Sequence, residues 1–191
     1  MNIGIIDCGG ANLNSIYYSF KRLNINCLIT NSLNELKKMD ALILPGVGTA
    51  GVVMKTLNEK NLVDYIKETK KPILGICIGM QVLFNSSEED NAECLGLIEG
   101  CVKKFDINDV DVIPQMGWNK VECSFDNTLS GYYYFANSYF NKDSDYTVGY
   151  STYGSRFTSI VKKDNLFGCQ FHPEKSSSSG EIFIKHFLKS I

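Results

Sequence analysis

Pro72-Ile73-Leu74-Gly75-Ile76-Cys77-Ile78-Gly79-Met80 decides the fold. Its first half, Pro72–Ile76, reads as a short apolar strand, and a helix is expected to begin over Met80–Phe84. Between them stands a cysteine with glycine two residues before and two after. A strand with no polar face must be buried on both sides, which is the condition of a mostly parallel sheet covered by helices. Upstream the same rhythm repeats. Asn2–Ile6, Cys27–Thr30 and Ala41–Leu44 are further apolar strands. Leu13, Ile16, Tyr17, Phe20 and Leu23 mark a helix over Asn12–Leu23, and Leu33–Met39, Thr49–Leu57 and Leu62–Glu68 complete the alternation.

Downstream the pattern changes. Gly117–Cys123, Tyr132–Phe140, Tyr146–Thr152, Arg156–Val161 and Leu166–Phe171 alternate or carry aromatic runs. They predict strands that extend the sheet in antiparallel or mixed fashion. Helix returns over Gly180–Lys189. Ser86–Glu93 reads as a solvated acidic loop. The expected fold is α/β, a single domain over residues 1–191, with a mostly parallel to mixed central sheet flanked by helices.

The composition excludes several classes of function. In 191 residues, 19 Lys+Arg against 21 Asp+Glu give a net charge of −2, and 44% of residues are hydrophobic. No general attraction to nucleic acid or an anionic membrane follows. The longest apolar runs fall far short of the ~20 residues that cross a bilayer. Met1-Asn2-Ile3-Gly4-Ile5-Ile6-Asp7 lacks a basic n-region, so a cytoplasmic protein with reduced thiols is expected. No two of the seven cysteines form a C-x-x-C pair, and there are only two histidines, His172 and His186. A metal centre is therefore not expected.

Parallel sheets bind ligands at the carboxyl ends of their strands, so chemistry is sought after Ile6, Leu44 and Ile76. Gly75-Ile76-Cys77-Ile78-Gly79 fits the cysteine form of a nucleophile elbow, a tight strand-to-helix turn whose neighbours must be small. A buried core cysteine between two packing glycines has the same local pattern. In Phe171-His172-Pro173-Glu174, extended geometry would set His172 and Glu174 side by side, base and orienter. A surface histidine beside a surface glutamate is the alternative. His186 lacks an acid nearby in sequence and reads as structural. Leu44-Pro45-Gly46-Val47-Gly48 could present backbone N–H groups to an oxyanion, together with the N–H of Ile78. The loop Asp7–Asn12 does not meet a dinucleotide fingerprint.

These blocks, in this order, resemble class I (triad-type) glutamine amidotransferases. Ile5-Ile6-Asp7, Leu44–Gly48, Leu74–Gln81, Met116-Gly117-Trp118-Asn119 and Gly168–Ser176 carry the resemblance across nearly the whole chain. It implies a flavodoxin-like core and hydrolysis of L-glutamine by Cys77, His172 and Glu174. It further implies an oxyanion hole at Val47 and Ile78, and a substrate site at Gly46, Gly48, Gln81, Asn137, Ser138 and Tyr139. No cofactor or metal is implied. Within the family the pattern is most similar to glutaminase subunits that pass ammonia through a channel to a (β/α)8-barrel cyclase of histidine biosynthesis. Asn12, Met116, Trp118 and Lys175 match positions near that contact. A paralogue serving another synthase, such as a sugar amidotransferase of surface-glycan synthesis, and a non-catalytic regulatory subunit are the alternatives. The chain departs from the family at Cys8, Ala11, Gln115 and Asn137; the last two commonly stand as histidine.

Overall fold

Short apolar strands alternating with amphipathic helices build the first half of the chain. The computed structural model describes residues 1–9, 13–46 and 48–191, so the expectations placed on Ala11, Asn12 and Val47 lie outside the described residues. In order come β1 (Asn2–Ile6), α1 (Leu13–Lys21), β2 (Asn26–Thr30), α2 (Leu33–Leu36), β3 (Ala41–Leu44), α3 (Ala50–Glu59), α4 (Val63–Glu68), β4 (Ile73–Ile76) and α5 (Ile78–Gln81). The second half adds β5 (Ser86–Ser87), β6 (Ala92–Glu93), β7 (Cys101–Lys104), β8 (Gln115–Cys123), β9 (Gly131–Asn137), β10 (Tyr139–Asn141), β11 (Thr147–Tyr153), β12 (Ser155–Lys163), β13 (Leu166–Cys169) and α6 (Ser177–Leu188).

Nine strands form one sheet in the order β2-β1-β3-β4-β13-β12-β11-β8-β9. From β2 to β13 the strands run parallel. The remaining strands are added antiparallel. Successive side chains on a strand point to opposite faces. Ile3, Ile5, Ile43 and Leu74 accordingly share a core with Ile16 and Phe20 of α1 and Phe183 and Phe187 of α6. Ile6, Leu42, Leu44 and Ile73 share another with Val53 and Leu57 of α3 and Ile66 of α4. Each such buried aliphatic side chain contributes about 1.5–3 kcal/mol, and two helical layers explain why these strands carry no polar face. Among the described residues no helix is long and apolar enough to cross a membrane.

The differences from the sequence reading have identifiable causes. The helix expected over Met80–Phe84 instead occupies Ile78–Gln81, because helical geometry starts as soon as the chain leaves Cys77. It ends early because Leu95, Leu97 and Ile98 donate their N–H groups to the carbonyls of Val82 and Leu83, replacing the next helical turn. The expected strand Tyr132–Phe140 breaks at Ser138. Before the break Asn137 pairs with Gln115; after it Tyr139 pairs with Lys104 in a second sheet, ordered β10-β7-β5-β6.

The acidic segment is not a solvated loop. Its ends are β5 and β6 of that second sheet. Glu88 accepts from the Lys104 N–H at 2.9 Å, Glu89 from the Ala50 N–H at 2.9 Å, and Asp90 from the Thr49 hydroxyl. Two of these carboxylates thus serve the N-terminus of α3, where unpaired N–H groups and the helix dipole favour negative charge.

Candidate active site

The register of the parallel strands sets the site. Leu44 lies opposite Gly75, and Ile76 opposite Cys169, so the segments leaving β3, β4 and β13 emerge together at one edge. Cys77 takes φ 55° and ψ −114°. This left-handed conformation is strained for a residue with a Cβ, by about 1–3 kcal/mol, and its N–H donates to the Cys169 carbonyl at 2.8 Å. The elbow leaves no room beside it. A Cβ on Gly75 would lie 2.6 Å from the Gly79 carbonyl oxygen, one on Gly79 would overlap that of Leu44, and one on Gly46 would overlap the N–H of Ile78. Gly46 is thereby pressed against the expected oxyanion donor.

His172 is held by its backbone. Its N–H donates to the Tyr134 carbonyl at 2.9 Å, and its own carbonyl accepts from the Ser176 hydroxyl at 2.7 Å. The same hydroxyl accepts from the Tyr134 N–H at 2.9 Å. His172 is extended, as expected before proline. Glu174 reaches it differently from the expectation: Pro173–Lys175 is a 3-10 turn, so the carboxylate meets the ring through the turn rather than along a strand. His172 Nδ1 and Glu174 Oε1 are 2.9 Å apart. Cys77 lies near enough to the same imidazole to act on its protonation. Burial alone would lower the imidazole pKa, but the charges and hydrogen bonds of Cys77 and Glu174 outweigh it and raise the pKa to about 10.

A cavity of about 220 Å³ opens at Cys77, lined by Gly48, Ile78, Gln81, Glu89, Asn137, Ser138 and Tyr139 among others. Every described residue expected at the substrate site lines it except Gly46, which lies beneath the turn. Gln81 Nε2 donates to the Tyr139 carbonyl and to Gln170 Oε1, both at 2.9 Å, and Gln170 Nε2 lies 3.7 Å from Cys77 Sγ. A larger cavity, about 750 Å³, lies at the opposite end of the strands around Asp40, Lys71 and His186 and holds no nucleophile paired with a base. Among the described residues no cluster of three His, Cys, Asp or Glu side chains could hold a metal ion.

Three residues expected at a partner contact share one surface. Met116 and Trp118 are 68% and 54% exposed. Trp118 packs edge-on against Tyr134 at 6.3 Å, and the Lys175 ammonium lies 5.8 Å from the Tyr134 ring centroid. Glu89 and Gln170 were not anticipated. Glu89 was hidden in a run of acids that resembled a solvent loop. Gln170 had a usable signal, two residues before His172 in the segment that leaves β13. His186 does have an acid partner, contrary to expectation: Asp126 Oδ2 is 3.2 Å from its Nδ1, supplied by a distant segment.

The family model described as glutamine amidotransferase class-I matches residues 4–190. The chain is 47% identical, over the full length of both chains, to "Imidazole glycerol phosphate synthase subunit HisH 2" of Campylobacter jejuni strain RM1221. It is 42% identical to "Imidazole glycerol phosphate synthase subunit HisH" of Haemophilus influenzae (strain ATCC 51907 / DSM 11121 / KW20 / Rd), covering all of this chain and 98% of that one. In fold it is similar to a crystal structure of a glutamine amidotransferase, with a TM-score of 0.79 at 18% identity over 98% of this chain and 97% of the other. The structure of PurLQS from Thermotoga maritima matches with a TM-score of 0.75 at 16% identity, covering 99% and 98%.

Proposed function

We propose, from the premise that this chain belongs to the class I glutamine amidotransferase family, that Cys77, His172 and Glu174 are its catalytic triad and L-glutamine its substrate. The chain works as the glutaminase subunit of imidazole glycerol phosphate synthase in histidine biosynthesis. Residues 1–191 act as one amidotransferase unit, and the ammonia passes through a channel to a (β/α)8-barrel cyclase subunit docked on the face of Met116, Trp118 and Lys175. One observation carries the reading: an elbow cysteine beside an imidazole that a buried carboxylate braces at 2.9 Å.

The steps follow from that geometry. His172 holds the proton of the Cys77 thiol, and Sγ adds to the carboxamide carbon of glutamine, pushing one C=O electron pair onto oxygen. Ile78 N–H, and Val47 N–H as read from the sequence, stabilise that oxyanion; one such donor is worth about 10²–10³ in rate. Collapse breaks the C–N bond. The nitrogen keeps the bonding pair, takes the proton from His172 and leaves as ammonia. Water then gives a proton to His172 and adds to the thioester, expelling Sγ, so that glutamine and water become glutamate and ammonia. Glu174 orients the ring and offsets its charge. Glu89, which lines the cavity, supplies a carboxylate for the α-ammonium group.

The test uses two measurements. Cys77→Ala, with the synthase subunit present, should release no glutamate from glutamine. A glutamine-mimicking electrophile should label Cys77 before the other six thiols. Burial raises Cys8 to about 12, Cys27 and Cys94 to about 11, and Cys169 well above the ordinary value, so these four stay protonated at neutral pH. Retained turnover, or labelling led by another cysteine, would refute the assignment.

A further inference from the structure

Glu89 and Asp90 are consecutive, yet both carboxylates reach the start of α3. Glu89 Oε2 accepts from the Ala50 N–H at 2.9 Å, and Asp90 Oδ2 accepts from the Thr49 hydroxyl. Neighbouring side chains on a regular strand or helix point apart. Here Asp90 and Asn91 both take left-handed backbone, at φ 59° and 48°, in the turn that joins β5 to β6. Aspartate and asparagine visit that region more readily than other residues with a Cβ. The buried Ser87 hydroxyl holds the base of the turn, accepting from the Glu89 N–H at 3.1 Å. α3 leaves room for Asp90: a Cβ on Gly51 would lie 2.8 Å from Asp90 Oδ2 and 2.9 Å from Asp90 Cβ. Thr49 is the N-cap of α3, and the hydroxyl that donates to Asp90 accepts from the Val52 N–H.

Two segments of the Cys77 cavity wall are tied together here. Glu89 lines the cavity from one, and Gly48, directly before Thr49, lines it from the other. Asp90 and Thr49 lie outside that lining and join the two segments through their side chains. A carboxylate on a cavity wall binds a cation best when its position is fixed beforehand, because ordering it during binding takes away from affinity. Resting on the glutaminase reading above, we propose that Asp90 and Thr49 are positioning residues for substrate selection. Their hydrogen bond holds the β5–β6 turn against α3, so that Glu89 stays where the α-ammonium group of glutamine is received. Neither residue touches a reacting atom; both act through Glu89. The effect therefore falls on the choice of substrate. A molecule that carries an α-ammonium group gains from the contact, and one with the same carboxamide but no ammonium does not.

The experiment compares glutamine with 4-carbamoylbutanoate, which is glutamine without its α-amino group, in the chain assembled with its synthase subunit. The ratio of kcat/KM for glutamine over 4-carbamoylbutanoate reads the ammonium contact alone. It should fall about fivefold in Asp90→Ala, the order of one lost hydrogen bond, with kcat/KM for 4-carbamoylbutanoate near wild type. Asp90→Asn drops the charge but keeps an oxygen for the Thr49 hydroxyl, and should keep the ratio. Thr49→Val should lower the ratio as Asp90→Ala does, and Thr49→Ser should restore it; this pair decides the matter if Asp90→Ala does not fold. Equal losses on both substrates would make the contact a prop for α3 and overturn the proposal. A loss in Asp90→Asn as large as in Asp90→Ala would assign the effect to charge and overturn the positioning role. Glu89→Gln is the reference: a wild-type ratio there overturns the ammonium contact and the positioning with it. A wild-type chain that hydrolyses neither substrate through Cys77 overturns the glutaminase reading itself.

Discussion

His172 Nδ1 stands 2.9 Å from Glu174 Oε1, with the two side chains 10% and 1% exposed. Water screens this pair little, so the carboxylate fixes both the ring's orientation and its charge. Replacing it as Glu174→Gln keeps the shape and removes the charge. Glutamate release should drop by about 10²–10⁴, the range for lost orienting acids. Steady-state assays with saturating glutamine measure this, and a drop below threefold would exclude Glu174 as orienter.

The same pair predicts how stability responds to pH. The folded imidazole is raised from its ordinary value near 6.5 to about 10; burial opposes the shift, while Cys77 and Glu174 drive it. A raised folded pKa contributes stability that is complete below ~6.5 and lost as pH climbs toward 10. Between those values the melting temperature of wild type should fall more steeply than that of Glu174→Gln. Melting curves at four or five pH values decide it, and parallel curves would contradict the raised pKa.

Strain at the elbow can be separated from chemistry. Cys77 sits at φ 55°, where glycine is at ease and alanine is not. Cys77→Ala and Cys77→Gly should both be inactive, yet the glycine variant should be the more stable, by about 1 kcal/mol. Denaturant midpoints in otherwise identical chains give the difference. If alanine were equal or better, the turn would not be strained.

What the sequence disclosed depended on how local the cause was. The strand–cysteine–helix junction was legible because tight geometry demands small neighbours, and Gly75 and Gly79 state that demand openly. The parallel half was legible because double burial leaves strands without polar residues. The acidic segment misled because its carboxylates find their partners, Ala50 and Thr49, some forty residues away. His186 misled for the same reason, since Asp126 is brought to it by tertiary folding. The second sheet escaped notice because β5 and β6 are two residues each, too short for a periodic signal.

Glu89 belongs to the site through the cavity rather than through a motif. One of its oxygens accepts from Ala50 N–H at the start of α3, and partial burial raises its carboxyl pKa. Glu89→Gln preserves that hydrogen bond but removes the charge that would face the substrate's ammonium group. KM for glutamine should rise about tenfold or more, with kcat changed less, because a uniform binding contribution is lost. An unchanged KM would show that Glu89 serves only to hold α3.

The proposed docking face should be concentrated at Trp118. Its ring is 54% exposed and touches Tyr134 only edge-on, so truncation removes little internal packing. Exposed tryptophans at the centre of an interface commonly carry 2 kcal/mol or more of binding energy. Trp118→Ala should therefore weaken the Kd for the synthase subunit about 30-fold and leave the melting temperature of the free chain within a few degrees. Lys175, beside Tyr134 on the same patch, should matter in proportion to the charge it meets, so Lys175→Ala should lose more affinity at low salt than at high salt. Because the Tyr134 backbone both accepts from His172 N–H and donates to Ser176, a partner that presses on the Tyr134 ring bears on the strand holding the catalytic imidazole. Calorimetric titration of both variants checks the surface, and wild-type affinity in Trp118→Ala would move the interface to another face of the molecule.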